Sequence, residues 1–318
     1  MHSEYEFSPV AADDRCGFWA MLAVMVGFTF FSASMWAGAA LGTGLRASSF
    51  LLAVLTGNVL LGAYTGLLAW IAARTGRSTH LLARQAFGER GAALPSLLLG
   101  VTQVGWFGVG VAMFALPVGQ LFPQVPHLVL LWVAGALMTL TAYYGIQSLT
   151  ILSIVAVPAI ALLGSASVAK AFADFGGISA WFAQQPAGTI GLGAAIGICV
   201  GSFISGGTLT PDFTRFARTP RIAVSTTVIA FLLGNSLMFL FGAVAAAFYG
   251  TNDISEVMMK QGLIGLAVLV LGLNIWTTND NALYAASLGF ATLARWPKRR
   301  FVLLNGFIGT LFATAAYN

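Results

Sequence analysis

The densest group of hydrogen-bonding side chains in this chain lies inside an apolar segment that runs from about residue 262 to residue 293. Six of the eight residues from 274 to 281 are polar: Asn274, Thr277, Thr278, Asn279, Asp280 and Asn281. Hydrocarbon cannot satisfy such groups, and each unsatisfied one costs several kcal/mol there. The group must therefore face protein, water or a ligand. An ionisable residue in such a segment also indicates a functional site.

The spacing of Asn274, Thr277 and Thr278 allows two interpretations. On a helix both threonine side chains lean back toward the N-terminus, so their hydroxyls approach the carbonyl of Asn274. Threonines in buried helices often donate to the carbonyl four residues earlier, which is a purely structural role. Alternatively, two hydroxyls and a carbonyl form part of an oxygen cage for a hard monovalent cation, completed by backbone carbonyls of a broken first helix. Asp280 lies about 240° around the helix from Asn274 and is given no role in this cage.

Two aromatic residues elsewhere lie beside small residues in mid-segment. Trp106 is flanked by glycines, and Phe203 lies between Ser202 and Ser205. Small neighbours let a flat ligand or another backbone approach, and two aromatic rings can hold a planar ring between them. Asparagine side chains offer both a donor and an acceptor and match an amide-like edge. The alternative for Trp106 is the aromatic belt at a membrane surface, which its mid-segment position argues against.

The composition indicates a polytopic membrane protein. Charged residues make up 8% and hydrophobic residues 58% of the chain, whereas soluble domains carry about 25% charged residues. The mean hydropathy is +0.87. Cys16 and Cys199 are far apart in the chain, and we expect them to pack without forming a disulfide or binding a metal.

Nine apolar segments are long enough to cross a bilayer, which needs about 20 residues. They cover approximately 18–44, 49–73, 94–121, 128–145, 149–171, 190–210, 222–249, 262–293 and 301–318. With a cytoplasmic N-terminus, every Lys and Arg except Arg46, Lys170 and Lys260 falls on the cytoplasmic side. The positive-inside rule therefore predicts a multi-pass membrane protein in that orientation. The loop over 74–95 is amphipathic and predicts a short surface helix, in which His80 is expected to be structural.

The first and sixth segments carry Gly/Ser/Thr-rich patches, at 27–34 and 201–208. The chain crosses the membrane an odd number of times between equivalent positions of the first and sixth segments, so the two segments run in opposite directions. Paired patches of this kind predict an inverted-repeat transporter in which helices 1 and 6 are discontinuous. The alternative is close helix packing at small residues. We expect one transmembrane domain over 1–318, with repeat 1 over about 18–171 and an incomplete repeat 2 over about 190–318, and hence a C-terminally truncated form.

Five strings carry a resemblance to a known family: TFFSASMW (29–36), THLLAR (79–84), QVGWFGVGVAMFA (103–115), GSFIS (201–205) and LGLNIWTTNDNALY (271–284). They resemble the nucleobase–cation symporter family, in its purine–cytosine permease branch. The resemblance implies an all-α fold of the LeuT type, built as a five-plus-five inverted repeat. It also implies sodium-coupled uptake of cytosine across a bacterial inner membrane, with sodium as the coupling ion and no other cofactor. No enzymatic activity, nucleic-acid partner or obligate protein partner is implied.

The same resemblance implies roles for individual residues. Trp106 and Phe203 would stack on the two faces of the base. Its edge would bond to Ser202, Ser205, Asn274 and Asn279. The sodium ion would lie between the carbonyls of Gly27 and Phe30 and the residues Asn274, Thr277 and Thr278. Helical spacing alone would favour Asn281 over Asn279, because Asn281 falls back near Asn274 on the helix surface.

Three alternative functions remain at this point. A symporter of another planar compound, such as uracil, hydantoin or allantoin, would use the same residue types. A polytopic membrane enzyme would need a general base or metal ligands, and the segments offer one acid, Asp280, and no histidine. A channel would need a continuous polar stripe, whereas the polar residues cluster at one depth.

Overall fold

The computed structural model describes residues 5–144, 146–251, 256–257, 260–262 and 264–317, and over these residues it contains helices and no strand. The helices are α1 Phe18–Thr29, α2 Ser32–Gly44, α3 Ala47–Thr75, α4 Thr79–Gly91, α5 Ala93–Leu121, α6 His127–Tyr143, α7 Ile146–Asp174, α8 Gly177–Ala183, α9 Leu192–Gly207, α10 Thr210–Thr214, α11 Pro220–Ile229, α12 Ser236–Tyr249, α13 Ile264–Ala294 and α14 Lys298–Tyr317. A short 3-10 turn, Ala12–Asp14, precedes them, and a π-helical turn, Ala230–Asn235, joins α11 to α12.

Four continuous helices among the described residues are long and apolar enough to cross a membrane. They are Ala47–Thr75, Ala93–Leu121, Ala156–Asp174 and Pro220–Tyr249. The pair α1 and α2 meets the same criteria together but is bent by 52° at its break, so it adds a fifth candidate. The helix bounds follow the segments expected from the sequence, while the count of nine spans stays a prediction.

The first helix is interrupted where the sequence predicts a break. Phe30 and Phe31 separate α1 from α2, and the backbone of Phe30 leaves the helical region with φ −75° and ψ 73°. The second patch behaves differently. Helix α9 runs unbroken through Gly201 to Gly207, and the interruption falls at Thr208 and Leu209, before the five-residue α10. The expected mid-segment break over 201–208 is therefore displaced to the end of the patch.

The end of α1 packs against the π-helical turn. The Thr29 hydroxyl donates to the carbonyl of Ala230 at 3.0 Å. A π-turn widens the helix and leaves carbonyls available to such donors. Gly234 makes room for the contact, because a Cβ there would lie 2.5 Å from the Thr29 hydroxyl. The end of the broken helix is thus fixed to a second irregular segment.

Helices α2 and α12 cross at glycines. A Cβ on Gly38 would lie 2.1 Å from the Phe239 carbonyl oxygen, and one on Gly242 would lie 1.9 Å from the Met35 carbonyl oxygen. Small residues allow helix backbones to approach in this way where no water competes for the contact. The crossing fixes the position of α2, the second half of the broken pair.

A buried polar cluster closes the end of the bundle where α4 begins. Asp212 accepts a hydrogen bond at 2.8 Å from the backbone N–H of Thr79, the first residue of α4. His80 shares a hydrogen bond of 3.0 Å with the Ser96 hydroxyl, and its Nε2 lies 3.9 Å from an Asp212 carboxylate oxygen. His80 and Asp212 are almost completely buried. This surrounding agrees with the structural role expected for His80.

Residues near the N-terminus lie along the same end. The Tyr5 carbonyl accepts a 2.7 Å hydrogen bond from the Arg215 guanidinium, and the Arg15 guanidinium donates to the Ala73 carbonyl at 2.8 Å. The backbone of Cys16 pairs with that of Phe216 at 2.7 Å. These bonds tie the segment before α1 to α3 and to the α10–α11 connection.

Acidification should destabilise the folded chain through His80. Burial lowers the pKa of His80, against an opposing effect of the nearby Asp212 carboxylate. As the pH falls below about 6.5, the unfolded chain therefore binds a proton that the folded chain excludes. The free energy of unfolding should fall by up to about 1.4 kcal/mol per pH unit for this proton.

The measurement is the melting temperature of the purified chain between pH 7.5 and pH 5.5, compared with that of His80→Gln. Burial also raises the pKa of Asp212, and the stability linked to that carboxyl is lost as the pH rises, so it acts in the opposite direction. Because the variant lacks the His80 imidazole, the melting temperature of the wild type should fall more steeply with acid than that of the variant. Parallel slopes would contradict this assignment.

Candidate substrate pocket and ion site

A cavity of about 410 Å³, partly open to its surroundings, lies beside the break between α1 and α2. That volume includes the open space at the mouth of the cavity. Helices α1, α5, α9 and α13 form its wall. The lining residues are Phe28, Phe31, Gln103, Trp106, Ser202, Phe203, Ser205, Gly206, Thr278, Asn279 and Ala282. Five of the six residues predicted to bind a substrate are therefore brought together.

Aromatic rings frame this pocket. Phe31, at the helix break, contacts Trp106 with ring centroids 5.1 Å apart and Phe203 with centroids 5.8 Å apart. Both contacts are edge-to-face, with interplanar angles of 78° and 89°. Phe28, which also lines the cavity, contacts Phe203 edge-to-face with centroids 5.1 Å apart. Because Phe31 meets both rings, a planar ligand between Trp106 and Phe203 would have Phe31 at one edge.

Phe31 and Gln103 line the cavity but are not among the residues predicted from the sequence. Gln103 is 6% exposed, and its side-chain nitrogen has no hydrogen-bond partner among the described residues. A buried donor without a partner is costly, so this nitrogen is available to a ligand acceptor. Its position three residues before Trp106, on the same face of a helix, was a signal that could have identified it.

The other polar groups of the wall are partly engaged. The Ser202 hydroxyl donates to the Cys199 carbonyl at 2.8 Å, which leaves its oxygen free to accept. Asn279 donates from its side-chain nitrogen to the Phe107 carbonyl at 3.1 Å. The pocket therefore offers acceptor oxygens on α9 and one free amide donor on α5. Asn281, which helical spacing alone favoured, does not line the cavity.

Asn274 is the predicted substrate residue that does not line the cavity. It is fully buried and crosses the break in the first helix. Its side-chain nitrogen donates to the Phe30 carbonyl at 2.8 Å, and its side-chain oxygen accepts from the Ser32 hydroxyl. One amide thus binds the first residue of the break and the first residue of α2.

The two threonines after Asn274 bond within their own helix. The Thr277 hydroxyl donates to the Asn274 carbonyl at 2.8 Å and lies 3.1 Å from the Leu273 carbonyl. The Thr278 hydroxyl donates to the Asn274 carbonyl at 3.0 Å. A hydroxyl that donates its proton keeps oxygen lone pairs for a cation, so these bonds fit both interpretations of the spacing. Gly27 lies in the last turn of α1, three residues before Phe30.

Asp280 faces a different neighbour from Asn279. One of its carboxylate oxygens accepts from the Thr141 hydroxyl of α6 at 2.8 Å, and Thr141 also accepts from the Trp276 indole at 2.9 Å. Asp280 is fully buried and does not line the cavity. Its observed contact is therefore between α13 and α6.

A comparison with protein families matches residues 9–317 to a family of permeases for cytosine/purines, uracil, thiamine and allantoin. The chain belongs to this family. It is 55% identical over 320 aligned positions to the cytosine permease of Escherichia coli strain K12, an alignment that covers all of this chain and 76% of that protein. The cytosine permeases of E. coli O6:H1 and O157:H7 match with the same identity and coverage.

Solved structures share the fold. Mhp1, a nucleobase-cation-symport-1 family transporter, in a closed conformation with bromovinylhydantoin bound, superposes with a TM-score of 0.85 at 19% identity, over 95% of this chain and 73% of that one. Its inward-facing conformation gives 0.83 at 17% identity, covering 95% and 71%. An outward-open Na⁺-coupled sialic acid symporter gives 0.73 at 13% identity, covering 95% and 74%. The chain is a membrane transporter with a helical fold of this type.

Adding a methyl group at Gly110 should damage the pocket. A Cβ there would lie 1.9 Å from the side-chain oxygen of Asn279. Asn279 would have to rotate and lose its bond to Phe107, and overpacking of this kind costs about 1–3 kcal/mol. We expect Gly110→Ala to lower the melting temperature by several degrees and to weaken substrate binding.

Gly105→Ala is the matched control on the same helix, because a Cβ there would meet no atom within 4 Å. It should melt within about one degree of the wild type, since a surface-like site tolerates a methyl group. If both variants behave alike, the contact between α5 and Asn279 does not shape the pocket.

Proposed function

We propose that the chain imports cytosine together with sodium by alternating access across a bacterial inner membrane, with its N-terminus in the cytoplasm. One observation carries the proposal: α13 contributes residues both to the aromatic pocket and to the contact with the break in the first helix. The identity of 55% to proteins named cytosine permease supports the substrate. The distribution of basic residues supports the orientation.

Cytosine matches the chemistry of the pocket wall. Its flat ring suits the space between Trp106 and Phe203, where stacking on an aromatic face contributes about 1–3 kcal/mol per base. Its ring carbonyl and nitrogen accept hydrogen bonds, and its exocyclic amine donates. The free amide of Gln103 would donate to the ring edge. Ser202 and Ser205 would accept from the amine, and Asn279 would complete the edge.

Sodium matches the oxygen atoms at the break. The proposed ligands are the carbonyls of Gly27 and Phe30 and oxygen atoms of Asn274, Thr277 and Thr278. A monovalent hard cation needs oxygen ligands and no carboxylate. Asn274 would then act through the ion and not as a direct contact of the base, since its amide already bonds across the break.

Coupling follows from the arrangement of these two sites on α13. Thr278 lines the cavity and also follows Asn274 by four residues. An ion that draws the broken first helix toward α13 would fix Phe31 in the pocket wall and raise the affinity for the base. Thermodynamic linkage makes the effect reciprocal, so the base would also raise the affinity for sodium. A five-plus-five inverted repeat, with its interruptions at α1/α2 and α9/α10, would allow the bundle to open alternately on each side.

Removing one hydroxyl from the proposed ion site should uncouple sodium from the substrate. The wild type should bind cytosine about tenfold more tightly in sodium than in choline, a typical coupling. Thr277→Val should bring this ratio close to one, because it removes an ion ligand without changing the cavity wall. Equilibrium binding of radiolabelled cytosine in the two salts measures the ratio.

Thr292→Val is the matched control. Thr292 is also buried on α13, and its hydroxyl donates to the carbonyl four residues earlier at 2.9 Å. This variant should keep the wild-type ratio. Loss of the ratio in both variants would point to general damage of the helix, and equal wild-type affinity in sodium and choline would refute sodium coupling.

Gln103 should contribute to recognition of the base. Gln103→Leu removes the only donor that we assign to the ring carbonyl, and an unpaired group costs about 1–3 kcal/mol, or about tenfold or more in affinity. Gln120→Leu, at the exposed end of the same helix, should bind cytosine like the wild type. Competition with uracil, hydantoin and allantoin in the same assay tests the substrate, and stronger displacement by one of them than by cytosine would replace cytosine in the proposal.

A further inference from the structure

An apolar groove lies between α3 and α11, away from the cavity described above. Its open volume is about 960 Å³. The groove is lined by Trp70, Pro220, Arg221, Val224, Ser225, Val228 and Ile229. Gly66 of α3 faces Val224 and Val228, which lie 3.8 Å and 3.4 Å from a Cβ built there. Because Gly66 has no side chain, the groove stays open between the two helices at this position.

An arginine side chain lies on each side of this groove at one end. The guanidinium of Arg74, in the last turn of α3, lies 4.6 Å from the centre of the Trp70 ring. Arg221 is the second residue of α11 and lines the opposite wall. Both arginines are exposed, and no acidic residue is among those that line the groove. The cation–π contact with Trp70 holds the Arg74 guanidinium beside the groove, so that it does not extend into solvent.

We infer that this groove binds one anionic phospholipid, with an acyl chain along Val224 and Val228 and its phosphate between Arg74 and Arg221. Arginine binds phosphate through paired hydrogen bonds, and basic sites between membrane helices on the cytoplasmic side recognise anionic headgroups. Both walls belong to helices that can span a bilayer. The neighbour of such a face is lipid, and the two charges select an anionic one. The inference depends on the membrane setting and not on cytosine or sodium.

The test uses the purified, delipidated full chain and measures binding by native mass spectrometry and by thermal shift. The probes are dioleoyl phosphatidylglycerol, dioleoyl phosphatidylcholine and inorganic phosphate. Phosphatidylglycerol should bind on the order of 25-fold more tightly than phosphatidylcholine, since each of the two arginines at a membrane surface contributes on the order of a fivefold gain. Inorganic phosphate at the same concentration should neither bind nor compete.

Two variants separate the charge from the groove. The double variant Arg74→Gln with Arg221→Gln should reduce the preference for phosphatidylglycerol to within about twofold, since the charges are gone. Ser225→Trp fills the groove and keeps both charges, and it should weaken the binding of both lipids. Arg46→Gln, whose guanidinium bonds Gln185 instead, should keep the wild-type preference.

A cooperative thermal transition of each variant, measured without added lipid, verifies that it is folded. Equal affinity for the two lipids in the wild type would overturn the inference, because the groove would then take any acyl chain. Competition by inorganic phosphate would also overturn it, because the arginines would then form a simple anion site. Retention of the preference in the double variant would place the lipid elsewhere.

Discussion

A backbone that breaks inside a bilayer exposes peptide groups that hydrocarbon cannot satisfy, and the rest of this structure depends on how one break is repaired. Asn274 donates to the Phe30 carbonyl, which lies in the break, and accepts from the side-chain hydroxyl of Ser32. A single amide can do both because it carries a donor and an acceptor. Replacing it with an apolar residue would remove these bonds to the Phe30 carbonyl and to the Ser32 hydroxyl. The position of α13 relative to α1 and α2 is therefore fixed by polar bonding.

The pocket is a consequence of the same break. The interruption turns Phe31 out of the helical path, where it meets Trp106 and Phe203 edge-on. If the helix continued without a break, Phe31 would follow the regular helical spacing and its ring would not form this part of the pocket wall. The break thus places an aromatic edge at the pocket and backbone carbonyls beside it, which the proposed flat ligand and ion would use. Substrate and ion would then share one helix, α13, and one deformable element, the α1/α2 bend.

The sequence predicts the first break and most of the pocket wall, because small and polar residues inside apolar segments are informative by themselves. Trp106, Phe203 and Asn279 meet as expected. The sequence does not predict which neighbouring residue each polar side chain contacts. Asn274 was expected to reach the base as well as the ion, and its amide is instead bonded across the break. The interruption after Gly207 and the π-turn at Ala230–Asn235 depend on the packing of other helices, which local composition does not contain.

The polar run on α13 is tolerated because this helix is enclosed on all sides at that depth. Every residue from Thr277 to Gly289 is buried. Successive side chains advance about 100° around a helix, so a run of polar residues must face several neighbours in turn. Asn279 meets α5 and the cavity, whereas Asp280 meets Thr141 of α6. The run is therefore not one site but a set of separate polar contacts, and only the part that faces the cavity and the break is available to ligands. A cluster that looks single in the sequence therefore divides according to helix geometry, and its members meet different neighbours around α13.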